Sequence, residues 1–236
     1  MNAPLQISFT CNICGTYRAE CRFDLIDRET SSCLHCGSTV RFRSIVNLLS
    51  IARFGRAVAL PDFAGDKSVI GIGLSDWDGY AARLESKFNY TNTYFHAAPF
   101  LDVCRPIPEK WRGICDFAIS SDVFEHTMPP AQSAFDGAAA LLKPGGHLIL
   151  TVPMTLEAAT AEHYPDLAWF KKWRIGPKHV ITGRRTDGRF LIDASPVFHG
   201  GPGNTLEMRV FCERDVLRHL SQAGFEPQVM SEDAAE

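Results

Sequence analysis

SVIGIGLSDWDGYAARLESKF, residues 68–88, runs from a strand into a helix through a glycine-marked turn. Ser68–Leu74 is a short run of β-branched and small residues, and from Asp78 the apolar residues Tyr80, Leu84 and Phe88 recur at helical spacing. Glycines at such a junction let the backbone come close to a ligand, and the free amides of the helix N-terminus then face a negative group. The turn is not a phosphate loop, because no Gly-Lys-Ser/Thr follows, and it lacks the third glycine of a dinucleotide fingerprint.

The same texture continues downstream. Thr91–His96 reads as a second strand and Cys115–Ser120 as a buried one. Ala131–Leu142 reads as a helix that stops at Lys143-Pro144-Gly145-Gly146, and His147–Val152 as a further strand. Strand–helix alternation predicts an α/β fold, a mostly parallel, doubly wound sheet of Rossmann type. Residues 164–204 break the rhythm. They hold FKKWRIGPKH (170–179), a hairpin signal across Thr186-Asp187-Gly188-Arg189 and a loop from His199 to Asn204. Lys171, Lys172, Arg174, Lys178, Arg184, Arg185 and Arg189 interleave there with Trp169, Phe170 and Trp173. The expectation is a solvated basic face over an aromatic core side; the alternative is a grip on a single strand or a sugar phosphate. A last helix, Glu213–Ala223, stops at Gly224 and leads toward a strand at Phe225–Met230.

Upstream lies a different unit. Cys11-x2-Cys14 and Cys33-x2-Cys36 are separated by 18 residues, with Gly15 and Gly37 directly after each pair. Two such knuckles supply four thiolates for a tetrahedral Zn2+, and four thiolates close the shell, so the expected role is structural. His35 is a weak substitute ligand, and Cys21 falls outside the pattern. Phe42, Ile45, Val46 and Leu49 then share one helical stripe ending at Gly55. The expected domains are a zinc ribbon with linking helix over 1–60, and a second domain over 61–236 carrying an inserted hairpin at about 164–204.

Composition agrees with a globular chain: of 236 residues, 45% are hydrophobic and 22% charged. A formal net charge of −3 supplies no global field toward nucleic acid. No apolar run approaches the ~20 residues of a membrane span. The opening MNAPLQISFT does not read as a signal peptide, so the cytoplasm is the expected compartment, where eight cysteines point to metal rather than disulfides.

Three segments in order, the glycine turn, DFAISSDVFEH (116–126) and LLKPGGHLILTVP (141–153), resemble the class I methyltransferases that bind S-adenosylmethionine. FTCNICG (9–15), CLHCGSTVRFR (33–43) and FHGGPGNTLEMRVF (198–211) together resemble a narrower bacterial group of those enzymes that carries an N-terminal zinc ribbon. The resemblance implies that Gly71, Gly73 and Ser75, leading into Asp76, pass beneath the cofactor's methionine end. It implies that Asp102 accepts a hydrogen bond from the adenine amine, and that Ser121 and Asp122 lie beside the methyl donor. His126, after the fourth family strand, and His199 are the candidate bases for a hydroxyl acceptor, ahead of His163 and Tyr164. Asp122-x-x-Glu125-His126 also resembles the ExxEH of small-RNA 2′-O-methyltransferases, where a divalent ion can polarise a hydroxyl.

The chain departs from the family in places. Gly71 stands where an acid usually helps hold the methionine end, Ser75 replaces a glycine, and His96-Ala97-Ala98 lacks the acid that grips the ribose. The family's usual seventh strand is expected to be missing. The leading expectation is O-methylation of a small-molecule or glycan acceptor. RNA methylation with the ribbon as a binding element, and a non-catalytic binding module on a decayed fold, are the alternatives.

Overall fold

The computed structural model describes residues 6–22, 26–199 and 205–230. The chain forms two compact units, one from residues 1–102, 107–121 and 141–151, the other from 103–106, 122–140 and 152–236.

In the first unit, β1 (Gln6–Thr10) and β2 (Tyr17–Arg22) pair antiparallel across the first cysteine knuckle. Helix α1 (Val40–Phe54) starts at Thr39, whose side chain accepts from the Phe42 amide, and closes at Gly55 in the left-handed region (φ 69°). The parallel sheet comprises β3 (Asp66–Leu74), β4 (Phe88–Thr93), β5 (Cys115–Ser121) and β6 (Leu142–Thr151), in the order β4-β3-β5-β6. Helix α2 (Asp78–Lys87) carries the chain from β3 to β4, and the sheet resumes at β5 on the other side of β3. The winding therefore reverses between β3 and β5.

Helix α1 packs on this sheet. Ile45, Val46 and Leu49 share one buried core with Tyr80 and Leu84 of α2 and with Phe117, Ile119 and Ile149 of the strands. Phe42 stacks on Trp77 with centroids 4.6 Å apart. Burial of each large apolar side chain favours folding by roughly 1.5–3 kcal/mol.

Two expected boundaries shift. The second strand spans Phe88–Thr93 rather than 91–96, because Phe88 both caps α2 through its amide and enters the sheet as a buried residue. Lys143–Gly146 does not separate helix from strand. It is absorbed as an irregularity at the start of β6, where Gly145 takes φ 77° and the register with β5 jumps.

The second unit holds α3 (Gln132–Leu141) up to Ala140 and α4 (Glu213–Gln222). Short strands β7 (Met154–Thr155) and β8 (Ala161–Glu162) flank β14 (Arg209–Cys212). Strands β9 (Leu167–Ile175), β10 (Lys178–Arg185) and β11 (Phe190–Asp193) form an antiparallel sheet, and β12 (Phe198–His199) pairs with β13 (Thr205–Leu206). The hairpin at 186–189 is present, closed by the Arg185 amide donating to the Arg189 carbonyl at 2.8 Å. In the core of the second unit Phe124 and Phe211 meet Phe135 edge-on, and the His219 ring stacks on it. Phe225–Met230 forms no strand, and β14 pairs with β7 and β8 rather than joining the parallel sheet. No helix among the described residues is long and apolar enough to cross a membrane.

Gly71 is fixed by packing. A Cβ there would lie 2.2 Å from Cζ of Phe117, a ring buried between Phe88 and Tyr90. Gly71→Ala is expected to destabilise the chain by about 1–3 kcal/mol through overpacking, read as a lowered urea midpoint at unchanged slope.

Candidate functional site

The four cysteines converge as their spacing predicts. The Sγ atoms of Cys11 and Cys36 lie 3.7 Å apart, as do those of Cys14 and Cys33. Thiolates about 2.3 Å from a tetrahedral Zn2+ sit about 3.8 Å from one another, so the donor set fits the ion. Each knuckle closes through a glycine at φ 76°, with Gly15 donating to the Cys11 carbonyl at 2.7 Å and Gly37 to that of Cys33 at 2.8 Å. Burial raises the Cys33 thiol, but the amides of Cys36 and His35 bring it down to about 7. His35 is exposed and outside the cluster, and Cys21 lies in β2.

The motif after the second knuckle has two distinct arginines. Arg43 donates to Ser38 and Ser32, and Ser38 Oγ lies 3.3 Å from Cys11 Sγ. Burial lowers the Arg43 pKa, while Cys11, Cys33 and Cys36 raise it, so this guanidinium is the counter-charge to the thiolates. Arg41, with 14% of its side chain exposed, is held by the Glu29 carboxylate (2.8 and 2.9 Å) and donates to Ser121 Oγ at the end of β5. The sequence reading passed over Arg41. Its only signal was the spacing of the ribbon motif, which does not say what lies opposite.

At the carboxyl ends of β3 and β5, Ser75 and Asp122 adopt φ 60° and 53°, the only positive values among described residues other than glycine. That backbone region is uncommon for residues other than glycine, with aspartate among the more tolerant, and residues held there cluster at functional sites. The ends of two parallel strands where the winding reverses are also where α/β sheets bind ligands.

Asp76 is turned inward. Tyr80 Oη donates to its carboxylate at 2.7 Å and Tyr90 Oη donates to its other oxygen. Asn92 closes the set, accepting from the Asp76 amide and donating to its carbonyl, both at 2.9 Å. A Cβ on Gly73 would strike Tyr90 Oη at 2.1 Å, so this glycine makes room for the network. Burial pushes the Asp76 carboxyl up to about 7, against the two tyrosine hydrogen bonds. Asp102 is half-buried beyond the Tyr94–Phe100 bridge. Strand β4 ends at Thr93, ahead of His96-Ala97-Ala98, and Asn92–Tyr94 at its end carries no acid; Thr93 Oγ1 donates to the Gly73 carbonyl.

In the second unit, His126 and His199 meet edge to face with centroids 4.9 Å apart. His126 lies in a short 3-10 turn, Phe124–His126, pinned by the fully buried Arg209, which donates to the Phe124 and Thr127 carbonyls at 2.8 and 2.9 Å. Burial pushes the His126 pKa down, opposed by its hydrogen bond to the Leu206 carbonyl. His163 Nε2 lies 2.8 Å from Glu207, which also pairs with His199, while Tyr164 donates to Asp193. Sequence reasoning did not single out Glu207.

The basic aromatic segment is arranged differently from expectation. Trp169, Lys171, Trp173 and Ile175 share one face of the three-stranded sheet with Arg184, Phe190 and Ile192, and these aromatic and aliphatic residues are 43–77% exposed. Strand alternation puts both tryptophans outward, while Ile181 and Leu191 face the other side.

No protein-family model matches this chain, and no curated protein does. Among solved structures it is similar to a putative Zn-dependent alcohol dehydrogenase from Rhodobacter sphaeroides (15% identity, 42% of this chain, 45% of that chain, TM-score 0.31). It is also similar to Haemonchus contortus phosphoethanolamine N-methyltransferase 2 in complex with S-adenosyl-L-methionine (22% identity, 43% of this chain, 26% of that chain, TM-score 0.29). A second structure of that enzyme, with S-adenosylhomocysteine, gives the same values. The chain spans less than half the length of each.

The Asp76 network predicts a pH signature. The carboxyl pKa rises from about 3.9 in the unfolded chain to about 7 in the folded one. The folded state therefore keeps a proton that the unfolded chain releases, and this contribution to stability is lost as pH rises from about 4 to about 7. Asp76→Asn removes that slope. Urea midpoints at pH 4.5, 6 and 7.5 should fall for the parent relative to the variant, and parallel profiles would contradict the assignment.

Proposed function

We propose that the chain is an S-adenosylmethionine-dependent methyltransferase of the class I type, with a structural Zn2+ on Cys11, Cys14, Cys33 and Cys36, acting on a hydroxyl of a small or carbohydrate-linked acceptor. The observation that carries the reading is the reversal of a parallel sheet between β3 and β5, with Ser75 and Asp122 both in the left-handed region at the two strand ends.

The cofactor supplies a methyl group already activated by a sulfonium, so the chain's task is chiefly to bind and align. Ser75 presents its backbone at the end of β3, and Asp76 props that turn from below through Tyr80 and Tyr90. Phe117 and Tyr90 fill the space at Gly71 and Gly73, which leaves the strand-end backbone, Ser121 and Arg41 as the polar groups on offer. In this reading Arg41 pairs with the cofactor's carboxylate and makes up part of the grip lost with the missing acids. Asp102 remains the adenine partner.

A second reading, a nucleic-acid substrate, draws support from the exposed face of Trp169, Trp173, Arg184 and Phe190, since bases stack on aromatic side chains between cations. Affinity for a single-stranded RNA that falls steeply with salt, and is lost in Trp169→Ala/Trp173→Ala, would favour it. Salt-independent or absent binding leaves the small acceptor.

Calorimetry with S-adenosylmethionine tests the main proposal. Binding is expected, and Arg41→Ala should weaken it about tenfold or more, since a charge-assisted hydrogen bond contributes about 1.5–3 kcal/mol. No heat at millimolar cofactor would sink both enzyme readings and leave a binding module on this fold.

A further inference from the structure

We infer that Glu125, His126 and His199 form a second metal site, for a divalent first-row transition ion, distinct from the cysteine cluster. One ligand atom from each of the three side chains lies within 4.8 Å of the other two. Glu125 Oε1 is 3.6 Å from His126 Nε2 and 3.9 Å from His199 Nδ1. Ligands about 2.1 Å from a common ion lie roughly 3.0–3.4 Å apart, so the two Glu125 contacts close with a shift of a few tenths of an ångström, and the two imidazole nitrogens, which lie within 4.8 Å, draw together on the ion.

The hydrogen bonding around the cluster sets the tautomers. His126 Nδ1 faces the Leu206 carbonyl at 2.9 Å; a carbonyl only accepts, so the proton is on Nδ1 and Nε2 presents a lone pair to Glu125. His199 Nε2 is paired with the Glu207 carboxylate, so the neutral ring has its proton there and turns the Nδ1 lone pair toward Glu125. Two nitrogen lone pairs and a carboxylate oxygen converge on one point with both ring protons committed elsewhere. Imidazole nitrogens select transition ions over Mg2+ or Ca2+.

The surroundings are those of a supported site. Glu207 backs His199 in the carboxylate–histidine arrangement that orients metal ligands, and His163 Nε2 holds Glu207 from its other oxygen at 2.8 Å. Backbone bonds fix the frame: the Met208 amide donates to the Glu125 carbonyl at 2.9 Å, and the Glu207 amide to the Val197 carbonyl at 2.9 Å. Glu125 is fully buried. The ligand set differs from the one the Asp122-x-x-Glu125-His126 spacing suggests. Asp122 is not a member, and His199, 73 residues beyond His126, takes its place. Three protein ligands leave positions open for water or another oxygen ligand.

The inference does not depend on methyl transfer, because its test reads metal. The full chain, saturated with Zn2+ or Co2+ and freed of excess ion, is assayed by plasma mass spectrometry. Two ions per chain are expected, and His126→Ala and His199→Ala should each carry one. In the Co2+ form, only the cysteine-held ion should show thiolate charge-transfer bands, and these should persist in both histidine variants. Glu207→Gln keeps all three ligands and should weaken the second ion about 10- to 100-fold, which covers the case of a histidine variant that fails to fold. One ion per parent chain at saturation, or two in either folded histidine variant, overturns the site.

Discussion

The buried carboxyl of Asp76 is the constraint around which the sheet edge is organised. It joins the end of β3 to α2 through Tyr80 and to β4 through Tyr90, and Asn92 grips its backbone from both sides. A carboxyl this deep is tolerated only because several donors meet it and because burial shifts it toward its neutral form. The arrangement dictates the residue at 73, since any side chain there would occupy the tyrosine hydroxyl's place. It also holds Ser75 in its unusual backbone conformation, with the Ser75 amide donating to the Thr93 carbonyl at 2.7 Å.

The two glycines of the turn thus have explanations inside the protein as well as outside it. Gly71 answers to the Phe117 ring and Gly73 to Tyr90 and Asp76. A glycine-rich strand end is commonly taken as a cradle for a ligand; here the void that a missing Cβ leaves is filled by the sheet's own aromatic layer. Beyond those rings the strand ends carry the Ser75 backbone and the Ser121 hydroxyl that Arg41 contacts.

The ribbon and the sheet share more than a linker. Arg43 faces the thiolates and Arg41 faces the end of β5, two residues apart in sequence on the first turns of α1. Loss of the knuckles would release Glu29 and Arg41 together, so integrity of the cysteine cluster and the polar lining of the sheet edge are coupled through one helix. Because Ile45 and Leu49 sit in the same core as Phe117, the helix is part of the sheet's packing rather than a tether.

Periodicity and spacing were enough to read the parallel sheet, α1, α2 and the four-cysteine cluster, since each rests on residues close in sequence or on a repeated local turn. Element ends were less legible: Phe88 serves helix and strand at once, and Lys143–Gly146 reads as a break yet is carried as a bulge, because neighbouring strands decide pairing. The partners of His126 were beyond sequence reading. Leu206, Glu207 and His199 reach Glu125 and His126 only through the pairing of β12 with β13 and through Arg209 holding the 3-10 turn. The outward set of Trp169 and Trp173 was likewise settled by strand register. Local pattern in the chain settles which units form and which residue types offer chemistry; which of them meet is a property of the packed fold, because those meetings join residues some eighty positions apart through packing that no local pattern records.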